Sequence, residues 1–155
     1  MSSDSPWLTT EQQQVWRRWL AVNAALPAVL HRDLQESGLS LPDFEVLVHL
    51  TDAAEGRLRV TDLADVLRWE RSRLSHHVKR MEARALVRRE ECPEDKRGAF
   101  VVLTQAGRAA ILTAAPSHAA TVREVVFAPL TAEELDSFGA ITEKVLTSLA
   151  SRAGE

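Results

Sequence analysis

The sequence predicts a mainly α-helical fold that carries one small β-hairpin. Apolar residues recur at spacings of three and four along most of the 155-residue chain, which is the period of an amphipathic helix. Two short β-prone runs, "LVRREE" and "RGAFVVL", are separated by "CPEDK", whose Pro and Asp favour a turn. No repeat or long flexible linker divides the chain, so its length predicts a single domain, residues 1–155.

The first predicted helix spans residues 10–37. We expect Thr10 to cap it, because Gln13 follows three residues later, and Gly38 to close it. Pro27 removes a backbone donor inside this pattern, so a kink is expected just before it. A helix of this length needs a partner to cover its apolar side.

Short elements follow the first helix. A second helix is predicted to start near Pro42, a residue suited to the first helical turn, and to end by Gly56. Residues 58–60 are β-compatible but few. Thr61 is expected to cap a third helix, "DLADVLRW".

A fourth helix is predicted over residues 71–85, "RSRLSHHVKRMEARA". Its apolar stripe consists of Leu74, Val78, Met81 and Ala85. The opposite side carries hydrogen-bonding and cationic groups: Ser72, Arg73, Ser75, His76, Lys79 and Arg80. These groups therefore lie on the face that the core does not use.

The C-terminal part of the chain is again helical. Thr104 is expected to cap a helix that runs to about Val126 and is interrupted by Pro116. The capping box "TAEE" at residues 131–134 starts the last helix. The first and last helices are amphipathic and lie at opposite ends of the sequence, which predicts a homodimer in which their apolar stripes are covered.

Charge is concentrated in the middle of the chain. Residues 68–108 hold eleven Lys and Arg against six Asp and Glu, a net charge of +5 in a chain whose total is −3. A basic centre between acidic ends is typical of a protein that meets a polyanion through one region. The alternative from charge alone is an Arg-rich solvated helix face.

The order of helix, short turn, helix and hairpin over residues 62–68, 71–85 and 87–103 is that of a winged helix-turn-helix. The DNA major groove admits one α-helix, and residues that read bases must point away from the protein core. We expect base contacts from Ser72, Arg73, Ser75 and His76, and phosphate contacts from Lys79 and Arg80. The hairpin tip would place Arg97, with Lys96 beside it, at the minor groove, with Asp95 orienting the Arg97 guanidinium.

Three stretches of this chain resemble the MarR family of winged helix-turn-helix transcriptional regulators: "RSRLSHHVKRMEARALVRRE", "PEDKRG" and "VLTQAGRAA". The resemblance implies an obligate homodimer, with residues 10–37 and 104–151 as dimerisation helices around a DNA-binding unit at residues 41–103. It also implies a pseudo-palindromic operator and repression that a small aromatic or amphipathic ligand relieves. By the family pattern Arg97 is the minor-groove residue and Asp95 its partner.

The chain departs from the family pattern at two positions. Glu70 stands where a capping Ser is common, and a glutamate is a poor N-cap although its charge suits a helix N-terminus. Ala85 stands where Gly is usual at the end of the recognition helix, which puts the local turn geometry in question.

A ligand pocket is a further candidate site, lined by Trp16, Trp19, Asn23, Phe44 and His49. Indole rings suit flat aromatic ligands, whereas Trp at helical spacing is more often core packing. A polar Asn on an apolar stripe needs a partner or faces solvent.

Other classes of protein find less support. The sequence lacks G-x-S-x-G, a Gly-rich phosphate loop, H-E-x-x-H and C-x-x-C, so no enzyme and no cofactor is expected. The adjacent His76 and His77 point about 100° apart on a helix and do not predict a metal site. Two alternatives stay open: a winged-helix protein-interaction module without DNA binding, and a redox-responsive regulator that uses the single cysteine, Cys92. A cytoplasmic location without a membrane partner is expected, since no long apolar run or secretory signal is present.

Overall fold

The structure, a computed structural model, describes residues 6–92 and 95–153; for residues 95–97 and 153 it describes the backbone alone. Its elements are α1 (Thr10–Glu36), α2 (Leu41–Asp52), β1 (Arg57–Arg59), α3 (Val60–Leu67), α4 (Arg71–Ala83), β2 (Val87–Cys92), β3 (Asp95–Leu103), α5 (Gln105–Val122) and α6 (Ala132–Ala153). A 3₁₀ turn (Ala54–Gly56) precedes β1, and a π-helical turn (Arg123–Phe127) follows α5. The mainly α fold with a small β wing is thus confirmed.

The chain forms two compact units that divide after Ser117. The first unit contains the hydrophobic core, to which α2, α3, α4, the sheet and α5 contribute together with the last turn of α1. The buried residues of this core are Leu34, Leu39, Phe44, Val46, Leu47, Leu50, Leu63, Ala64, Leu74, Val78, Met81, Leu86, Val87, Val101, Ile111 and Ala114. A core of this kind stabilises the unit mainly by removing apolar surface from water.

The N-cap of helix α1 lies one residue before the predicted cap. Thr9, not Thr10, is the N-cap: its hydroxyl accepts from the Gln12 amide, and the Gln12 side chain accepts from the Thr9 amide. Both threonines have a Gln three residues on, so the sequence alone did not distinguish them. The helix continues through Pro27 and ends at Glu36, with Ser37 as its C-cap. Gly38 follows in the C′ position, where its φ of +71° is the left-handed conformation expected of a C′ glycine.

Helices α2 and α3 both start with extended N-caps. Ser40 caps α2 and forms a reciprocal capping box with Asp43. Pro42 lies in the first turn of the helix, as predicted. Helix α3 begins at Val60, with Arg59 as an N-cap whose side chain makes no capping hydrogen bond. The predicted cap at Thr61 is therefore wrong, because β1 pairs only as far as Arg59 and the chain turns directly into the helix.

The wing is a three-stranded antiparallel sheet in the order β1-β3-β2. The predicted hairpin forms β2 and β3, paired from Val87 with Leu103 to Cys92 with Asp95. β1 adds a third strand, with Arg59 opposite Phe100. Part of the stretch predicted as a turn belongs to the strands, and positions 93 and 94 between them lie outside the described residues.

The end of α4 and the start of α5 are joined by hydrogen bonds. The Thr104 hydroxyl donates to the carbonyl oxygens of Ala85 (2.6 Å) and Leu86 (2.9 Å), and it accepts from the Gly107 amide, which confirms Thr104 as the cap of α5. Ala85 was placed in the apolar stripe of α4, but it is exposed and lies beyond the helix end. Its φ of +57° puts it in the left-handed C′ position.

Replacing Ala85 with Gly is expected to raise the free energy of unfolding by about 1 kcal/mol. A residue with a Cβ in the left-handed region costs about 1–2 kcal/mol, while the added freedom of Gly in the unfolded chain offsets part of the gain. Chemical denaturation measures the difference. Ala83→Gly is the matched control: Ala83 is also exposed but helical, so its replacement should destabilise by about 1 kcal/mol. A change of the same sign in the free energy of unfolding of both variants would contradict the left-handed conformation of Ala85.

The second unit contains the end of α5, the π-helical turn and α6. The predicted capping box starts α6, with the Thr131 hydroxyl accepting from the Glu134 amide and the Glu134 carboxylate from the Thr131 amide. The apolar side chains of α6 are exposed in the single chain: Leu135, Phe138, Ile141, Val145, Leu146 and Leu149. Across the described residues, no helix combines the length and hydropathy needed to span a membrane.

Candidate nucleic-acid interface

Helix α4 has one buried and one exposed face. Leu74, Val78 and Met81 are fully buried, as predicted from their spacing. The predicted DNA-contacting residues lie on the other face, where Ser75 is half-buried and the others are exposed: Ser72, Arg73, His76, Lys79 and Arg80. The exposed face therefore presents cationic and hydrogen-bonding groups in helical register, which is the arrangement that base and phosphate contacts require.

A tight turn connects α3 to α4. Arg68 adopts a left-handed conformation (φ +55°), and the Trp69 amide donates to the Ala64 carbonyl at 2.9 Å. Glu70 is the N-cap of α4 but its side chain caps nothing, in line with the poor capping expected of Glu. The first turn of α4 thus keeps free backbone N–H groups beside the exposed face.

Arg73 stacks on the indole of Trp69. Its Cζ lies 4.2 Å from the ring centroid, well within the range of a cation–π contact. The Trp69 ring in turn meets His77 edge to face, with centroids 5.4 Å apart and planes at 88°. A side chain predicted to read bases is therefore held against a residue that the sequence analysis did not single out.

Ser75 is engaged by the neighbouring strand. One terminal nitrogen of Arg89, on β2, donates to the Ser75 carbonyl at 2.7 Å and to its hydroxyl at 3.3 Å. Arg89 Nε also lies 3.3 Å from the Glu82 carboxylate, which accepts from the Arg89 amide at 2.9 Å. This contact fastens α4 to the wing, and the Ser75 hydroxyl keeps its proton to donate elsewhere.

A buried carboxylate joins α4 to the start of α2. Asp43 is 3% exposed, and its Oδ2 accepts from Arg84 at 2.7 Å and from the Ser40 amide at 2.9 Å. Arg84 also donates to the Gly38 carbonyl. His77 Nε2 lies 3.0 Å from Asp43 Oδ1, at ion-pair distance but without the alignment of a full hydrogen bond. We call Asp43, Ser40, His77 and Arg84 the Asp43 cluster.

The proton on His77 can be placed from its other neighbour. Arg80 donates to His77 Nδ1 at 2.9 Å, and a guanidinium has no acceptor. Nδ1 therefore accepts, which puts the ring proton on Nε2, the atom facing Asp43. Arg80, predicted to contact phosphate, is thus also tied to the buried side of its own helix.

Burial and hydrogen bonding act in opposite directions on Asp43. Burial alone would raise the pKa of its carboxyl, but the contacts from His77, the Ser40 backbone and Arg84 outweigh burial and hold the pKa well below its usual range. Burial also raises the pKa of Glu45 on α2, and the nearby positive charge of Arg73 offsets part of that effect. Asp43 is consequently ionised at neutral pH.

The predicted wing contacts fall on side chains that lie outside the described residues. The backbone of Asp95, Lys96 and Arg97 belongs to the start of β3, but the structure does not describe their side chains. Their roles at the minor groove stay predictions.

The residues proposed to line a ligand pocket occupy different environments. Trp16 is 51% exposed and Trp19 is 43% exposed, whereas Phe44 belongs to the buried core. The Asn23 amide nitrogen donates to the Trp19 carbonyl at 2.8 Å, so its polar group finds a partner within α1. His49 is half-buried on α2. The role of these residues in ligand binding is untested and stays a prediction.

An open cavity of about 610 Å³ lies elsewhere in the first unit, between the end of α1, the start of α2 and α4. Its lining consists of His31, Gln35, residues 38–40, Asp43, His77, Arg80 and Arg84. The sequence analysis missed this cavity and the Asp43 cluster beside it. One signal was available: residues 74, 77, 78 and 81 complete a core-facing stripe, which places His77 among buried residues.

Cys92 is 3% exposed at the end of β2 and forms no disulfide. Its burial limits access by an oxidant. No group of three or more His, Cys, Asp or Glu side chains that could hold a metal ion occurs within residues 6–92 and 98–152.

Comparisons with known proteins assign the family. The model of the MarR family matches residues 37–98. The crystal structure of AbsC, a MarR family transcriptional regulator from Streptomyces coelicolor, shares 39% sequence identity at a TM-score of 0.89, covering 95% of this chain and 99% of AbsC. Among curated proteins no match was found.

Two related structures contain DNA. Sco3205, a MarR family transcriptional regulator from S. coelicolor solved in complex with DNA, shares 42% identity at a TM-score of 0.88 and covers 94% of this chain and 92% of Sco3205. A mutant of MarR from E. coli, complexed with operator DNA, shares 26% identity at a TM-score of 0.79, covering 90% of this chain and 98% of the mutant. The chain belongs to the MarR family of transcriptional regulators.

Proposed function

We propose that this protein is a homodimeric, sequence-specific DNA-binding repressor that reads its operator through α4. The observation that carries the proposal is the exposed face of α4, where five predicted contact residues lie opposite the buried stripe: Ser72, Arg73, His76, Lys79 and Arg80. Sco3205 and the MarR mutant were both solved in complex with DNA, which supports DNA binding by this chain. In this proposal Arg73 makes the principal base contact, and Lys79 and Arg80 contact phosphates.

Dimer formation is supported by apolar surface in each unit. On α1, the side chains of Val15, Trp16, Trp19, Leu20 and Val22 are exposed in the single chain. The apolar side of α6 is exposed as well. Several large apolar side chains exposed together on one helix are typical of protein interfaces. A two-fold symmetric dimer presents two recognition helices, which enter successive major grooves when they stand one helical turn, about 34 Å, apart.

Repression relieved by a small ligand is the finer part of the proposal. A ligand that binds better to one spacing of the two recognition helices shifts the dimer toward that spacing. A differential affinity of about 5.5 kcal/mol moves such an equilibrium from almost fully one state to almost fully the other. The residues we propose for the ligand are those predicted from the sequence: Trp16, Trp19, Asn23, Phe44 and His49.

The test begins with selection of bound sequences from a random duplex library by the purified protein at near-physiological salt. Recovery of a two-fold symmetric site with half-sites about ten base pairs apart is expected. If the selection enriches no sequence and binding is weak and salt-sensitive, α4 serves a different partner and the protein is better described as an interaction module.

Arg73→Ala is expected to weaken binding to the selected operator by about 2 kcal/mol, roughly thirtyfold, and to relax preference at one base pair per half-site. The reason is the loss of a bidentate guanidinium contact with a base edge. Fluorescence anisotropy with the operator and its single-base-pair variants measures both effects. Lys79→Ala is the control, expected to weaken binding to all duplexes alike and to reduce the salt dependence. A change of base preference in Lys79→Ala would contradict this division of roles.

A further inference from the structure

We propose that Trp69 is a positioning residue that sets sequence specificity by holding the guanidinium of Arg73 ready for a bidentate contact with a guanine. The inference rests on the proposed function, because it assigns a role within DNA reading by α4. Trp69 lies in the turn before α4, and it precedes Arg73 by four residues. In this proposal Trp69 does not itself contact DNA.

The contact uses the part of Arg73 that base reading does not need. The Arg73 Cζ lies over the indole ring, 4.2 Å from its centroid. A guanidinium that stacks on an aromatic ring uses its flat face for that contact. The five N–H donors of arginine point outward in the plane of the group and stay available. No carboxylate of the described residues lies within ion-pair distance of Arg73. The donors are therefore not consumed by a neighbour.

The Trp69 side chain is fixed by contacts with the core and with His77. It packs against the hydrophobic core, and its ring meets His77 edge to face. His77 is buried, and its two ring nitrogens contact Arg80 and Asp43. Because these contacts fix the indole, the guanidinium stacked on it is restrained relative to the core.

Restraint of Arg73 affects discrimination between bases. A free arginine side chain carries about 2 kcal/mol of rotamer entropy, which is lost when it forms a bidentate contact. Ordering the side chain before binding reduces that cost, and a fixed fork matches the O6 and N7 acceptors of guanine better than other base edges. Without the indole, Arg73 would reach phosphates and other base edges as readily as its own base.

The experiment compares wild type, Trp69→Leu, Arg73→Ala and the double variant on the selected operator. Each protein is also measured on the operator altered at the base pair where Arg73→Ala loses preference. Trp69→Leu is expected to lower the preference for the original base pair about two- to fivefold. Binding to an unrelated duplex should change by less than about twofold. In the Arg73→Ala background, Trp69→Leu should cause no further loss of preference.

Two controls separate positioning from stability. Leu67→Ala removes a partly buried side chain at the end of α3 that packs against the same core, and it should leave the base preference unchanged even where it lowers the melting temperature. Trp69→Phe keeps a smaller ring at the position and serves as the second variant if Trp69→Leu reduces the folded fraction. It should lower preference at the same base pair, but by less than Trp69→Leu.

The inference is overturned if Trp69→Leu weakens binding to all duplexes by the same factor. It is also overturned if Leu67→Ala lowers the preference as much as Trp69→Leu, or if the Trp69 effect persists without Arg73. A wild-type protein that binds no preferred sequence would overturn the proposed function, and the inference with it. If the wild type selects a clear operator but Trp69→Leu leaves its base preference unchanged, only the inference is overturned.

Discussion

Replacing Asp43 with Ala is expected to lower the free energy of unfolding by about 3 kcal/mol. Removal of one partner from a buried ion pair costs about 3–5 kcal/mol, because the groups left behind are still buried. The lower end applies here, since the Arg84 side chain is 45% exposed and can return to water, whereas His77 cannot. The Ser40 amide also loses its acceptor, so the N-terminus of α2 is weakened. Urea denaturation monitored by circular dichroism measures the loss.

Asp52→Ala provides the matched control, because Asp52 is an exposed acid at the other end of α2. It is expected to change stability by less than about 0.5 kcal/mol. Asp43→Asn keeps the size of the side chain and isolates the contribution of its charge. If the free energies of unfolding of the wild type and of Asp43→Ala differ by less than about 1 kcal/mol, the Asp43 cluster contributes little to stability.

The charge of Asp43 also predicts a pH dependence. Its pKa is lowered in the folded state, so the unfolded chain takes up a proton first as pH falls. The stability that this carboxylate contributes is therefore fully present above about pH 5 and is lost progressively below about pH 4. The difference in unfolding free energy between wild type and Asp43→Asn should narrow in that acidic range. A difference that stays constant down to about pH 2 would contradict the lowered pKa.

Replacing Gly107 with Ala is expected to destabilise the protein by about 3 kcal/mol, at the upper end of the usual cost of overpacking. A Cβ at this position would lie 2.0 Å from the Leu86 carbonyl oxygen and 2.9 Å from Leu103 Cδ1. The first of these is a backbone atom that also accepts from Thr104, so it cannot move aside without breaking the contact between α5 and the end of α4. Thermal unfolding should show a clearly lower melting temperature.

Gly139 on α6 offers the contrasting substitution. A Cβ there would meet nothing within 4 Å, and the residue lies inside a helix. Gly139→Ala should therefore raise stability by about 0.5–1 kcal/mol through helix propensity alone. If both glycines tolerate Ala equally, the close approach at Gly107 is not a constraint on the fold.

Periodicity predicted the elements of this fold better than their exact ends. The stripe of Leu74, Val78 and Met81 and the capping box at residues 131–134 were both confirmed, because each is a local pattern. The cap of α1 was one residue off, because Thr9 and Thr10 both have a Gln three residues on. The cap of α3 was two residues off, because the chain enters that helix directly after the last paired residue of β1. β1 has three residues, too few to predict that it would extend the hairpin into a three-stranded sheet.

The candidate site was predictable where it depends on one helix and not where it depends on distant residues. The exposed face of α4 follows from its own sequence. The pairing of Asp43 with His77 and Arg84 joins residues more than thirty positions apart, and no spacing within either helix indicates it. The stack of Trp69 on Arg73 is local, but it requires the turn at Arg68 to bring the indole back over the helix.

The separation of α4 into a buried stripe and an exposed contact face has an evolutionary consequence. Ser72, Arg73, His76 and Lys79 can change without altering the core, whereas Leu74, His77, Val78 and Met81 cannot. After gene duplication, one copy can acquire a new target by a few substitutions while it retains its stability. In the proposed homodimer, the apolar surfaces of α1 and α6 would then need to diverge separately to prevent the two copies from forming mixed assemblies.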